Sequence, residues 1–346
     1  MSTIHAPELL IVMHGNATAE QVDHVVERLE EAGAQAHVSP GKQATVIGAI
    51  GERELIAALP LEGYPGVDHV LPILKPYKLV SREISPDPTV IEVRGRRIGD
   101  GYFGFIAGPC AVETREQTLT TARAVADAGC TMLRGGAFKP RTSPYTFQGL
   151  GRSALDILAE AREETGLPVV TELMDPRDVE SVVDRADVIQ IGARNMANFS
   201  LLAEVGKAPL PVLLKRGPSS SIEELLMAAE YIVREGNPQV ILCERGIKTF
   251  ETATRFTLDI SAIPVAKPET HLPVIVDPSH PAGRRDLVLP LARAAVAAGA
   301  DGIIVEVHPE PEHALSDAAQ QIRVRDFPQF ADEIRALASL MGKVVG

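Results

Sequence analysis

Residues 103–110, FGFIAGPC, form a strand-length apolar run that ends in a thiol, and the pattern of apolar run and polar tip recurs along the chain. Residues 131–141, TMLRGGAFKPR, carry Arg134, Lys139 and Arg141. Residues 168–174, PVVTELM, carry Glu172, and residues 188–194, VIQIGAR, end at Arg194. Residues 211–217, PVLLKRG, carry Lys215 and Arg216, and residues 240–246, VILCERG, carry Glu244 and Arg245. Residues 273–280, PVIVDPSH, bring Asp277 and His280, and residues 302–309, GIIVEVHP, bring Glu306 and His308. Short runs rich in Val, Ile and Leu read as buried strands. Helical patterns separate them, for example over 114–128, 150–165 and 222–235. Eight strands alternating with helices predict an α/β chain folded as a (β/α)8 TIM barrel, whose chemistry sits at the C-terminal strand ends.

Upstream, the rhythm changes. Residues 8–15 read as a strand, and Thr18 with Gln21 marks a capping-box helix start. Residues 35–40 and 44–51 read as two strands, 54–60 as a short helix and 66–74 as a last strand. The order βαββαβ predicts a ferredoxin-like domain over 1–76. Ser85-Pro86-Asp87-Pro88 marks a linker over 77–88, and 89–346 forms the barrel. Residues 89–103, TVIEVRGRRIGDGYF, read as a hairpin plugging the barrel floor.

Composition excludes several classes of function. The chain is 45% hydrophobic, yet its longest apolar runs are strand-length, so no membrane span is expected. A net charge of −12 argues against a nucleic-acid surface. Three cysteines without CxxC spacing, and no secretory signal, suit the reducing cytoplasm. Cys130 and Cys243 read as core residues, whereas Cys110 stands at a strand tip.

Two constellations follow from barrel closure. Cys110, His280 and Glu306 lie on the first, seventh and eighth barrel strands, which are neighbours, and Asp317 follows in the next loop. One thiolate, one imidazole and two carboxylates suit a divalent ion such as Mn, Fe, Co or Zn. The alternative is four unrelated residues, with Cys110 buried and His280 hydrogen-bonded. His308 reads as a support for this set rather than a member. The second constellation is Arg134, Lys139, Arg141, Arg194, Lys215, Arg216 and Arg245, from four strand ends. Cations gathered in one cleft repel one another unless anions fill it, so a multiply charged substrate or two anionic ones are expected. Glu172 and Glu244 read as carboxylates that orient these cations.

Taken as whole segments, AGPCAVE (107–113), LRGGAFKPRTSPYTFQGLG (133–151), QIGARNMANF (190–199), VDPSHPAGRRDLV (276–288) and IIVEVHPEPEHALSDAAQ (303–320) resemble the 3-deoxy-D-arabino-heptulosonate 7-phosphate (DAHP) synthase family. The resemblance is to the branch with an N-terminal ferredoxin-like domain. It implies condensation of phosphoenolpyruvate with erythrose 4-phosphate, the first step toward aromatic amino acids, with release of phosphate. It implies that Cys110, His280, Glu306 and Asp317 hold the metal. It places phosphoenolpyruvate on Arg134, Lys139, Arg194, Lys215 and Arg245, with Glu172 beside them, and erythrose 4-phosphate on Arg141 and Thr142. Lys139, Cys110 and His280 are the expected catalytic residues, with Lys139 or a metal-bound water protonating the new alkoxide. The family further implies a homotetramer inhibited by tyrosine or phenylalanine. His37 and Ser39, which alternate onto one face of the second strand, are the expected effector contacts. One departure is Ala318, where the family pattern has Gly. A methyl there restricts φ and raises a question about the loop that holds Asp317.

Overall fold

The computed structural model describes residues 9–346 except 42–43, 52, 73–74 and 140–142. Eight parallel strands close into a barrel: β7 (Tyr102–Gly108), β8 (Met132–Arg134), β9 (Val169–Leu173), β10 (Val188–Ile191), β11 (Val212–Lys215), β12 (Val240–Glu244), β13 (Val274–Val276) and β14 (Gly302–His308). Each pairs with the next, and β14 returns to β7 in register from Gly302 opposite Gly104 to Glu306 opposite Gly108. That closure sets Cys110, just past β7, beside Glu306 on β14.

Helices fill the connections where the periodicity placed them. Thr114 caps α3 (Arg115–Asp127), α4 spans Arg152–Thr165, and α7 (Ile222–Arg234) opens with a capping box between Ser221 and Glu224. Alternate strand residues point to opposite sides. One set packs inside the barrel, including Ile106, Met132, Val170, Leu213, Ile241, Cys243 and Ile304. The other set, with Phe105, Leu133, Val169, Leu214 and Val305, packs against the helices.

The floor is plugged as expected. Strands β5 (Val90–Val93) and β6 (Arg96–Gly99) form a hairpin whose Ile91, Val93 and Ile98 join the interior cluster. Arg94 (φ 48°) and Gly95 (φ 80°) both take the left-handed conformation of a two-residue turn. Ile98 lies so close to β7 that a Cβ on Gly104 would meet its side chain at 2.6 Å.

The N-terminal unit is a four-stranded sheet in the order β2-β3-β1-β4, with β1 Leu9–Met13, β2 Gln35–Pro40, β3 Thr45–Ile50 and β4 Val67–Pro72. Helix α1 (Ala19–Glu31) carries the Thr18–Gln21 capping box and buries Val25 and Leu29 against Ile11, Ile47 and Ile56. Each such aliphatic side chain contributes about 1.5–3 kcal/mol on burial. Short helix α2 (Arg53–Ala57) completes the ferredoxin-like order. Residues 77–88 pack along the barrel. Tyr77, Leu79 and Val80 join its core, and the Leu79 and Val80 amides donate to the two oxygens of Glu230 (2.9 and 3.1 Å). No helix among the described residues is long and apolar enough to cross a membrane.

Candidate active site

The barrel mouth brings thiol and carboxylates together. The ligand atoms of Cys110, Glu306 and Asp317 all lie within 4.8 Å of one another. Cys110 Sγ is 3.2 Å from Asp317 Oδ2, 3.3 Å from Ser316 Oγ and 3.1 Å from Lys139 Nζ. Burial pushes the Cys110 thiol up, and Glu306 adds to this. Burial also opposes ionisation of Glu306, but His280 and Arg134 outweigh it and hold its carboxyl below the ordinary value. Glu306 Oε1 is buried with no hydrogen-bond partner. A free carboxylate lone pair beside a thiol and a second carboxylate fits a divalent cation.

His280 stands at the edge of this group rather than within its mutual set. Its Nε2 is 3.5 Å from Glu306 Oε1, and its Nδ1 is 2.6 Å from Asp277 Oδ2. An ionised carboxylate only accepts, so Nδ1 carries a proton toward Asp277, and Nε2 is the ring nitrogen turned toward Glu306. Asp277 also accepts from Lys215 Nζ at 2.5 Å and from the Ser279 and His280 amides. Burial resists its charge, yet His280 and Lys215 hold its carboxyl far below the usual range.

Beside this group lies a cavity open to solvent. Among the described residues its wall has six cations, Arg134, Lys139, Arg194, Lys215, Arg245 and Arg255, against the carboxylates Glu172 and Asp317. Arg134 is buried with Nε and Nη1 lacking hydrogen-bond partners, although Nη1 is 3.2 Å from Glu306 Oε1. Arg245 stacks 4.4 Å above the Phe256 ring. Burial, with Arg255 and Arg194 alongside, holds Arg245 below the ordinary guanidinium value against the pull of Asp277. Glu172 lies close over Gly192, where a Cβ would meet its Oε1 at 1.9 Å, so any larger residue there would displace this carboxylate. Buried donors left without partners and surplus positive charge define an anion site.

Residues 86–342 match the DAHP synthetase I family, and residues 9–75 match the DAHP synthase ferredoxin-like domain. The chain belongs to the DAHP synthetase I family. It is 52% identical over 334 residues to the phospho-2-dehydro-3-deoxyheptonate aldolase of Thermotoga maritima, covering 96% of this chain and 99% of that one. It is 32% identical over 272 residues to a 2-dehydro-3-deoxyphosphooctonate aldolase of Rhodopseudomonas palustris, covering 72% and 92%. The crystal structure of the Thermotoga maritima phospho-2-dehydro-3-deoxyheptonate aldolase (DAHP synthase) superposes with a TM-score of 0.78 at 50% identity, over 99% of this chain and all of that one. A truncated form of the Thermotoga enzyme gives 0.73 at 52% identity, over 78% of this chain and 98% of that one.

In this member of the DAHP synthetase I family, some expected residues stand apart from the cavity. Arg216 points away, bonded to Glu244 Oε2 (2.8 Å) and Asp259 Oδ2 (2.9 Å), so Glu244 orients it and also accepts from the Gly246 amide. His308 is buried 3.5 Å from Glu113, outside the ligand group. Arg141 and Thr142 lie outside the described residues. His37 is exposed and Ser39 half-buried on β2, an edge strand of the N-terminal sheet. The question about Ala318 resolves one residue earlier. The left-handed residue of that loop is Asp317 (φ 52°), a type that tolerates the conformation, and Ala318 has no positive φ. Arg255 and Gln190 line the cavity without having been singled out from the sequence. Arg255 belongs to the long connection after β12, where no apolar run marks a strand tip.

Proposed function

We propose that this chain condenses phosphoenolpyruvate with D-erythrose 4-phosphate to give DAHP and inorganic phosphate, as a metal-dependent transferase. The observation that carries the reading is the six-cation cavity opening onto the Cys110–Glu306–Asp317 group. A phosphorylated carboxylate supplies the negative charge that this wall lacks. Arg134, Lys139, Arg194, Lys215 and Arg245 hold phosphoenolpyruvate, Glu172 orients the cations, and Arg141 with Thr142 receive erythrose 4-phosphate. Cys110, His280, Glu306 and Asp317 would hold a divalent Mn, Fe, Co or Zn, which supplies Lewis acidity toward the aldehyde oxygen.

Held in line by these cations, carbon 3 of phosphoenolpyruvate attacks the aldehyde carbon, and water adds at carbon 2. The hemiketal phosphate then loses phosphate by C–O cleavage. Lys139 is the proton donor to the new alkoxide. Burial favours its neutral form, but Cys110 and Glu172 outweigh that and raise its pKa, so its proton is present at neutral pH. His280 is oriented by Asp277, which also fixes Lys215, so one carboxylate ties the anion site to the ligand group.

The domain division at 1–76, 77–88 and 89–346 supports a regulatory reading. Tyrosine or phenylalanine binds the ferredoxin-like unit near His37 and Ser39 of a cytoplasmic homotetramer. Deletion of residues 1–76, which spares the Tyr77, Leu79 and Val80 packing on the barrel, tests this, because inhibition that survives the deletion excludes the unit as the effector site.

The deciding measurement is phosphate release from phosphoenolpyruvate with erythrose 4-phosphate or arabinose 5-phosphate, after EDTA and after Mn²⁺ is restored. Metal-restored turnover with erythrose 4-phosphate is the expected result. Preference for arabinose 5-phosphate would move the assignment to octulosonate chemistry. Cys110→Ala should abolish metal-dependent turnover, and retained activity would remove the thiolate from the mechanism.

A further inference from the structure

Arg255 stands between two spaces. It lines the cation-walled cavity, and with Asp317 it also lines an open outer cleft formed by residues 252–254, 282–284 and 318–320. Its Nη1 donates to Asp317 Oδ1 at 2.8 Å and to Gln320 Oε1 at 3.3 Å. The other oxygen, Asp317 Oδ2, is the one that faces Cys110 Sγ at 3.2 Å. The guanidinium therefore occupies one oxygen of the carboxylate and turns the other into the ligand group.

Its own position is built. The Ile247–Thr257 bridge closes the loop that carries it, and the Phe256 amide donates to Pro281 O, next to His280. Gly283 leaves room for it, since a Cβ there would meet Arg255 Cβ at 2.7 Å. Asp317 gains from such a clamp, because its left-handed backbone does not by itself fix the carboxylate. Gln320 completes the link. Its Nε2 donates to Glu306 Oε2 at 2.6 Å, so the Arg255–Gln320 pair touches two of the three clustered ligands.

We infer that Arg255 is a positioning residue that presents Asp317, and through Gln320 also Glu306, to a divalent cation. The inference rests on the metal-site reading above. Partners that orient ligands typically alter metal affinity about 10–100-fold when removed. The test uses the full-length chain stripped of metal and titrated with Co²⁺, following the near-ultraviolet thiolate-to-cobalt absorption. Arg255 is 37% exposed, so Arg255→Met removes the charge without opening the core. Arg255→Met should weaken Co²⁺ binding about 10–100-fold, with the thiolate band still reached at saturation. Arg255→Lys, which keeps a point charge for one carboxylate oxygen, should recover most of the loss.

Failure has two distinguishable forms. A wild-type chain with no band that depends on Cys110 would overturn the metal site itself, and the inference with it. A normal wild-type band with unchanged or tighter Co²⁺ binding by Arg255→Met would overturn the role of Arg255 alone. Unchanged Co²⁺ affinity with weakened binding of inorganic phosphate would make Arg255 an anion contact instead.

Discussion

The two ends of the barrel both bury charge, and they treat it in opposite ways. At the floor, Asp301 accepts from Lys267 and Lys343 (2.6 Å each) and from the Val274 amide that starts β13. Asp187 does the same with Arg94 and Arg162, at 2.5 and 3.3 Å, and with the Val169 amide that starts β9. Each floor acid satisfies two cations and stitches one strand to the next. At the mouth, Arg194 and Arg245 have no carboxylate partner among the described residues, and Arg134 keeps two donor nitrogens unmet. Charge neutralised inside the chain holds the fold together, whereas charge left over at the mouth is compensated only by what binds there.

The largest effect expected from breaking this comparison is at the floor. Asp301→Ala leaves two lysines facing each other and strips an amide of its acceptor. Unfolding in urea should show a loss of about 3–5 kcal/mol, with turnover of the folded protein intact. A loss within experimental error would mean that the floor pairs hold no more than exposed ones do.

Next comes the mouth. Arg245→Ala should lower kcat/KM for phosphoenolpyruvate about 10²–10³-fold, the range for removing one preorganised donor. The same change should leave stability unchanged or raise it, because an unpaired buried cation costs desolvation that nothing in the chain repays. Destabilisation with normal kcat/KM would place Arg245 with the floor residues, as a structural charge.

A smaller effect tests the plug. Gly104→Ala sets a methyl against Ile98, and overpacking of this kind costs about 1–3 kcal/mol. A combined Gly104→Ala, Ile98→Val change should recover part of that loss. Without recovery, the contact seen at the hairpin is not what limits position 104.

The contrast between floor and mouth also explains what the sequence made legible. Strand-tip residues such as Arg134, Lys215 and Glu306 could be placed because an apolar run ends beside each of them and barrel geometry does the rest. Barrel closure likewise put Cys110 next to Glu306 across a long separation. Arg255 and Gln320 escaped because they sit in connections, where no periodicity tells which side chain turns inward. Arg216 was grouped with the cavity because adjacency to Lys215 in sequence looked like adjacency in space. Successive residues at a strand end point to opposite sides, and Arg216 turns to Glu244 and Asp259. The floor pairs were not foreseen either, since Asp187 and Asp301 precede strands instead of ending them.

The weakest expected effect lies between the two units. Glu269 Oε2 accepts from Tyr77 Oη at 2.6 Å and from Lys75 Nζ at 2.7 Å, fastening the segment that leads from the ferredoxin-like unit. The Lys75 and Tyr77 bonds hold its carboxyl below the ordinary value. A carboxyl depressed in the folded state adds stability above its unfolded pKa and loses it as pH falls through the folded one. The stability difference between wild type and Glu269→Gln should therefore be present near neutral pH and shrink below about pH 4, where model carboxyls take up protons. Glutamine still accepts from Tyr77, and the Lys75 pair is partly solvent-screened, so the difference is small even at its largest. A difference that stays constant with pH would assign the effect to packing around Tyr77 rather than to charge. The attachment of this segment would then resemble the apolar plug more than the paired acids of the floor.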